Sequence, residues 1–456
     1  MGTEQGNQFN RRDFVRLSTA GLGIAAGLSA AKAQGQSAPD LGPAPEHPFS
    51  VPALDRVRVG YVGAGGMGTN HIKNLLRIEG VELTAVCDIV PEKCENVQKL
   101  AKEAGFKEPK AYSKGERDFE RMCEQEELDL VYTATPWQWH TPVCVAAMKN
   151  GKHAATEVNA CVTIEECWQL VENAEKFKKH CVMMENCCYD RFEMMTLVMV
   201  RKGLLGELVH AECGYLHDLR EVKFGKESEG LWRRAHAIAR NGNLYPTHGL
   251  GPVSQCLNIN RGDQYEYMVS MSSMSRGLQD WQKEHLDKDD PRRNETYKLG
   301  DVNTSMIKTY NGATITLVHD TNLPRPYSRI HELQGTRGIV QKWPVENIYI
   351  EGRSPKHEWE ESEEYYKEFE HPLQKSMAEK AKGAGHGGMD FIEDWRLIYC
   401  LRNGLPTDAD VYDAASWSSV IEASEKSVAN KSQAIDLPDF TRGKWKTNKP
   451  LDIVTV

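Results

Sequence analysis

A glycine-rich turn between an apolar run and a helical segment constrains this chain more than any other stretch. In Arg56-Val-Arg-Val-Gly-Tyr-Val62, the residues Val57, Val59, Tyr61 and Val62 have the composition of a short buried strand. Gly63, Gly65 and Gly68 follow in the spacing G-x-G-x-x-G, and Asn70 to Arg77 continues with helical periodicity. In such a unit Gly63 permits the tight turn and Gly65 lets the backbone approach a pyrophosphate. Gly68 lets the helix pack against the strand, with phosphates at the helix N-terminus. A second strand, Glu82-Leu-Thr-Ala-Val-Cys-Asp88, ends in an acid 20 residues beyond Gly68 (88 − 68). A carboxylate there accepts bonds from ribose hydroxyls, which favours NAD over NADP. A glycine triplet alone is common; strand, glycines, helix, strand and acid in this order are specific to a dinucleotide site.

The alternation continues downstream. Helical stretches at 92–104, 118–124, 141–150 and 163–178 alternate with apolar strands at 128–135, 153–157 and 182–186. Residues 55–186 therefore read as an α/β Rossmann domain with a doubly wound parallel sheet. Beyond Asn186 the pattern changes to period-two runs at 267–272, 304–310, 314–319 and 329–334, with a hairpin signal at Tyr310-Asn-Gly-Ala313. Helices are expected at 191–202, 389–402 and 411–429. Residues 187–430 thus read as an α+β domain with an open, mostly antiparallel sheet, and 431–456 as a C-terminal tail.

The N-terminus carries an export signal. Asn10-Arg-Arg-Asp-Phe-Val15 pairs twin arginines with a nearby apolar position, and a mild apolar run leads to Ala31-Lys-Ala33, a small-x-small cleavage site. Residues 1–33 read as a twin-arginine signal peptide that sends the protein to the periplasm or cell envelope. They are too short and too rich in small residues to insert stably in a membrane. The Pro- and Gly-rich residues 34–54 read as a linker. That export route passes folded proteins, so the dinucleotide is expected to travel already bound. A net charge of −9 without any basic tract excludes nucleic acid as a partner. Twelve cysteines lie mostly in apolar runs with no metal-ligand spacing, so they read as reduced core residues and no metal is expected.

Several polar clusters fall at strand ends, where ligands of α/β proteins bind. Trp137-Gln138-Trp139-His140 follows one strand; it either faces a ligand or caps the core. Glu157-Val158-Asn159 and Asn186 end the next two strands, as ligand contacts or as ordinary turn residues. Tyr245-Pro246-Thr247-His248 offers a proton shuttle with a hydroxyl partner, or a turn whose His caps a helix. Tyr215, His217, Arg325 and Tyr327 sit at sheet-strand ends, in a cleft or on a solvated edge. His386 among glycines is a ligand loop or a helix entry with positive φ. Asp394, Glu422 and Glu425 are expected on solvated helix faces.

These motifs carry a resemblance covering the body from about Val57 to Lys446. Trp137-x-Trp-His140, Glu185-Asn-x-Cys-Tyr189, Gly214-Tyr-x-His-Asp-Leu-Arg220, Trp232-Arg233, Tyr245-Pro-Thr-His-Gly249, Arg325-Pro-Tyr327 and Gly383-Ala-Gly-His-Gly-Gly-Met-Asp390 occur in order. So do Gly206-Glu-Leu-Val-His210, His319-Asp-Thr and Pro438-Asp-Phe-Thr-x-Gly-Lys-Trp445. Together they resemble glycoside hydrolase family 109, NAD-dependent α-N-acetylgalactosaminidases within the Gfo/Idh/MocA oxidoreductase superfamily. The resemblance implies a homo-oligomer that holds NAD tightly and regenerates it in each turnover. The sugar is oxidised at C3, the C2 proton is removed, the C1 substituent is eliminated, water adds, and C3 is reduced again. This explains why no flanking carboxylate pair is needed. By matching motif, Met67, Gly68, Asp88, Trp137 to His140, Glu157, Val158, Asn186 and Tyr245 to His248 would contact NAD. Tyr215, Arg233, Tyr245 and Tyr327 would surround the sugar. His248 and Tyr245 would move the proton of the C3 hydroxyl, with Tyr215 and Tyr327 serving C2 and the leaving group.

One departure stands out. Plain dehydrogenases of the superfamily carry Glu-Lys-Pro where this chain has Glu157-Val158-Asn159, so their catalytic lysine is missing here. That favours the hydrolase over the alternative, a periplasmic NAD(P)-dependent sugar oxidoreductase with net redox turnover. A third expectation, from a different class, is a non-catalytic sugar-binding module.

Overall fold

Strand β1 (Val57–Val62) lies inside a six-stranded parallel sheet and is buried along nearly its whole length. The computed structural model describes residues 39, 41–44, 51–450 and 453; the export signal and its cleavage site lie outside the described residues. On either side of β1 run β2 (Val81–Cys87) and β4 (Leu130–Thr133); β3 (Lys110–Tyr112), β5 (His153–Thr156) and β6 (Cys181–Met183) complete the order β3-β2-β1-β4-β5-β6. Strands covered on both faces must be apolar throughout, which is why their sequences read as near-continuous hydrophobic runs. The cover comes from α1 (Gly66–Leu75), α2 (Pro91–Glu103), α3 (Asp118–Gln125), α4 (His140–Lys149) and α5 (Ile164–Phe177). Thr163 and Glu166 form a capping box that fixes the start of α5. The strand order reverses between β1 and β4, and a dinucleotide crevice opens at such a switch point.

Helix α6 (Arg191–Arg201) leads into a nine-stranded second sheet. Its strands are β7 (Leu208–Leu216), β8 (Tyr265–Ser272), β9 (Val302–Thr309), β10 (Thr314–Asp320), β11 (Glu332–Gly335), β12 (Gly338–Gln341), β13 (Asn347–Ile350), β14 (Glu360–Glu361) and β15 (Ile435–Asp436). The order is β14-β13-β12-β11-β7-β10-β9-β8-β15, antiparallel throughout except for the parallel pair β7–β10. Helices α7 (Arg220–Phe224), α8 (Arg233–Ala239), α9 (Thr247–Cys256), α10 (Met389–Asn403) and α11 (Val411–Ala429) complete the elements used below. α9 packs on β7 and α11 on β8, so one face of this sheet is covered. On the opposite face Tyr267, Met271 and Met306 are exposed, the last two by 65% and 50%.

The run expected as a strand over 329–334 starts only at Glu332. Ile330 and His331 adopt positive φ (65° and 48°), which turns the chain and drives Arg329 inward. β12 and β13, four residues each, were too short for periodicity to reveal. All twelve cysteines are buried and unpaired. No helix among the described residues is long and apolar enough to cross a membrane.

Candidate functional site

At the head of α1 each glycine has a separate steric reason. Gly63 has φ +88°, and a Cβ there would lie 2.8 Å from the Ala134 carbonyl oxygen. A Cβ on Gly68 would lie 1.9 Å from the Gly63 carbonyl oxygen, so only glycine lets α1 seat against β1. Cβ atoms on Gly65 and Gly66 would meet nothing within 4 Å, so the turn between them faces open space. No side chain caps the helix at Gly65, which leaves the first-turn N–H groups available to phosphate. Asp88 closes the far side: its Oδ2 accepts the Ala64 N–H at 2.8 Å and its Oδ1 the Val90 N–H at 2.9 Å. Each oxygen keeps a lone pair for a ribose hydroxyl. This cradle fits a dinucleotide. In Gly68→Ala the overlap has to push α1 off β1, and about 1–3 kcal/mol of overpacking should weaken NAD binding about five- to a hundredfold in a titration of the apoprotein.

The loops at the strand ends divide their work. Trp137 is buried among Trp232 (ring centroids 4.8 Å), His236 (4.9 Å) and Tyr245 (5.6 Å), under the Arg233 guanidinium at 5.1 Å. Gln138 is exposed, and Trp139 turns away towards Phe119 and Arg117. His140 is buried with its two ring nitrogens each 2.7 Å from a backbone oxygen, of Thr135 and Asn159. Desolvation lowers its pKa against the pull of the two carbonyls; a neutral ring donates to one of them, and only the doubly protonated ring donates to both. Asn159 in turn donates to the Leu244 carbonyl at 2.9 Å and accepts from the Thr247 hydroxyl at 3.5 Å. Val158 is buried beside it.

Behind Glu157 lies an ionic cluster. Glu157 Oε1 is 2.6 Å from His71 Nε2, and His71 Nδ1 is 2.9 Å from Asp394. Asp394, expected on a solvated face, is fully buried and also accepts from Asn74. The polar side of α10 that carries Asp394 packs onto α1, where His71 and Asn74 take up the carboxylate. Asn186 donates to Asp390 at 2.8 Å, and Asp390 also holds His386, whose φ of 48° marks the helix entry. Glu422 and Glu425 are not free in solvent either: they accept from the Ile164 N–H and pair with Arg240.

The catalytic candidates converge. His248, in the first turn of α9, places Nδ1 2.7 Å from Glu185 Oε1. Burial pushes the Glu185 carboxyl up, but the facing His248 and its hydrogen bonds outweigh this and hold it below its ordinary range. His248 packs its ring on Tyr245 (4.9 Å) and Tyr215 (5.3 Å); Tyr215 lies 4.6 Å from Tyr245 and 6.1 Å from Tyr327. The Tyr215 hydroxyl is 3.0 Å from His217 Nδ1, a ring that burial keeps neutral. Burial holds the Tyr215 and Tyr327 phenols protonated. Tyr327 accepts from Arg329 Nη1 at 3.1 Å. Arg233 stands over Tyr245 at 4.8 Å, and its Nε is 2.6 Å from Glu229, an ion pair by distance that lacks hydrogen-bond angles. Burial disfavours its charge, but Glu229 and the tyrosines keep it cationic. Pro246 sits between, capping α9.

Glu185 and Arg329 line this site although residue patterns gave them no role, and His217, expected in a cleft or on a solvated edge, faces it. The signal for Glu185 was its place at the end of a parallel strand, one residue before Asn186. Glu185, Cys187 and His248 also bring ligand-type atoms within 4.8 Å of one another.

Comparison with known proteins agrees with both halves. Residues 57–186 match the family model "Oxidoreductase family, NAD-binding Rossmann fold", and residues 189–447 match "Glycosyl hydrolase 109, C-terminal domain". A glycosyl hydrolase family 109 protein of Solibacter usitatus is 46% identical over 97% of this chain and 99% of its own. One from Shewanella pealeana is 44% identical over 98% and 99%. Among solved structures, levoglucosan dehydrogenase in complex with NADH and L-sorbose superposes with a TM-score of 0.64 at 19% identity, covering 85% of this chain and all of that one. An inositol dehydrogenase homolog complexed with NAD+ from Azotobacter vinelandii gives 0.64 at 18%, covering 86% and 100%. An NAD-binding oxidoreductase fold thus carries a glycosidase-type site, and the chain belongs to glycosyl hydrolase family 109.

Proposed function

We propose that the protein hydrolyses terminal α-linked N-acetylgalactosamine with a resident NAD that is restored in every turnover. The observation that carries this is the His248–Glu185 pair set against the buried Tyr215 and Tyr245, the half-buried Tyr327 and Arg233 at the cofactor edge. Bound there, NAD supplies a hydride acceptor for C3 and later a hydride donor. Glu185 accepts the His248 Nδ1–H, which fixes the tautomer and leaves Nε2 as a base for the C3 hydroxyl. The same ring returns that proton when C3 is reduced. The Tyr215–His217 pair is a hydroxyl on a neutral imidazole, suited to taking the C2 proton once the neighbouring ketone has acidified it. Tyr327, polarised by Arg329, is suited to protonating the departing C1 oxygen. Tyr245 and Arg233 orient the sugar. Val158 in place of a lysine leaves base chemistry to His248, which supports the hydrolase over net oxidation.

The test uses purified protein with an aryl α-N-acetylgalactosaminide and no added cofactor, in deuterated water. Sustained aryl release with deuterium at C2 is the expected outcome. Stoichiometric NADH without release would instead establish the sugar oxidoreductase, and tight sugar binding with neither would establish a binding module. We also propose export by the twin-arginine route, expected to fail in an Arg11→Lys, Arg12→Lys double variant followed by cell fractionation. The open face carrying Tyr267, Met271 and Met306 is proposed to be covered by another copy of the chain. Light scattering should show an oligomer that Met306→Glu dissociates.

A further inference from the structure

A cavity lies behind β6, on the far side of Glu185 from His248. Glu185, Glu393, Arg396, Cys188, Tyr189 and Asp408 are among the residues lining it. It offers about 20 Å³ to water centres, more than the roughly 10–15 Å³ that one water needs. The wall is polar where it matters. Glu185 Oε2, both oxygens of Glu393, and Arg396 Nη1 are buried with no protein partner. The other Arg396 nitrogens are taken by Asp408, at 2.7 Å from Nε and 2.5 Å from Nη2. A dry cavity would leave four donor or acceptor atoms of charged side chains unsatisfied, each at a cost of about 1–3 kcal/mol. A water with two to four polar neighbours removes that cost.

The protonation states around this cavity differ. Glu185 is held ionised by His248. Glu393 has no cation bonded to it, and its carboxyl lies within 4.8 Å of His71 and Glu157 ligand atoms. It also feels Asp394 and Asp390 on its own helix. His71 is committed to Glu157 and Asp394, so Glu393 is the acid of this group that cannot be paid a counter-charge. Burial pushes its carboxyl well above the ordinary range, with the neighbouring acids adding to the shift and His71 opposing it, which favours the protonated form.

We propose that Glu393 is a resident carboxylic acid which donates through cavity water to Glu185 Oε2 and so keeps Glu185 an anion facing His248. Glu393 touches no reacting atom in this arrangement; it is a positioning residue for the base. No proton leaves the group: the acid donates a hydrogen bond, the water passes it on, and the carboxylate accepts. Arg396 Nη1 supplies the second donor to the water. The inference rests on the reading of His248 as the base.

The test is spectroscopic and needs no turnover. Infrared spectra of the NAD-loaded protein at neutral pH should contain a protonated-carboxyl band that Glu393→Gln removes. In 15N-histidine spectra His248 should be the Nδ1–H tautomer in the wild type and in Glu393→Gln, whose amide still donates to the water. In Glu393→Leu, whose side chain gives the cavity water no donor and leaves it only Arg396, the tautomers should mix. Reduction of bound NAD by sugar in a single turnover should slow about tenfold in Glu393→Leu, at unchanged sugar affinity, and recover in Glu393→Gln. A spectrum without that band, or one in which Glu393→Gln leaves it in place, overturns the proposal. So does an unmixed His248 tautomer in Glu393→Leu. Failure of the aryl-glycoside assay would leave the band and the tautomer readable, so failure of the one reading is distinguishable from failure of the other.

Discussion

His248→Ala is expected to lower aryl-glycoside hydrolysis about a thousandfold, within the range that a positioned proton-transfer group contributes. The loss should appear in kcat rather than in KM, because Arg233, Tyr245 and Tyr327 still line the sugar position. The same variant should reduce its bound NAD on sugar addition just as slowly, since the C3 hydroxyl has lost its base. Glu185→Gln should lie between the two, because a glutamine can still accept the Nδ1–H but no longer stabilises an imidazolium. Full activity in His248→Ala would remove this ring from the mechanism.

The second large effect is on stability. Arg329 is 3% exposed and donates to Glu193 (2.7 Å), Asp190 (3.1 Å) and the Tyr327 hydroxyl (3.1 Å), with Trp343 beneath it at 4.7 Å. Arg329→Ala strands the buried Glu193 carboxylate, a change that costs about 3–5 kcal/mol. Lys342 still pairs with Asp190, but Glu193 keeps no cation of its own. A clear drop in the denaturant midpoint is expected, together with weaker activity through a displaced Tyr327. The pH dependence follows from the same cluster. Burial pushes the Glu193 carboxyl up to about 7, above its unfolded value, so its contribution is full in acid and lost as pH rises through about 7. Asp190 runs the other way: burial opposes its charge, but Lys342 and Arg329 hold it to about 2, and its contribution fades only in strong acid. Thermal stability should therefore decline from about pH 4.5 to about pH 7 and level off above that, and Glu193→Gln should flatten that slope.

The contrast between what could be read from the chain and what could not has a physical cause. Five strands of the parallel sheet were legible because each is largely apolar and each turn carries Gly, Pro or an acid at a spacing set by local geometry; the edge strand β3 was not, being three residues long with two of them exposed. Gly63, Gly65, Gly68 and Asp88 act within one strand–turn–helix unit, so their roles follow from positions along the chain. Asp394 and Arg329 do not. Asp394 meets His71 across 323 residues, and Arg329 meets Glu193 across 136, so their burial is decided by partners that periodicity does not register. Glu393 reads as one more polar residue on an amphipathic helix until α10 is docked. The strand expected at 329–334 failed for a local reason instead: two positive-φ residues interrupt it, and neither is glycine.

The bonds from His140 to Asn159 and from Asn159 to Leu244 and Thr247 join the loop after β5 to the segment that carries Tyr245 and His248. A site tied in this way is assembled before any sugar arrives. Sugar binding then spends little of its free energy on rearrangement, and small substituents far from C3 have little leverage on rate. Such an enzyme would tolerate varied leaving groups while discriminating sharply among the sugars themselves.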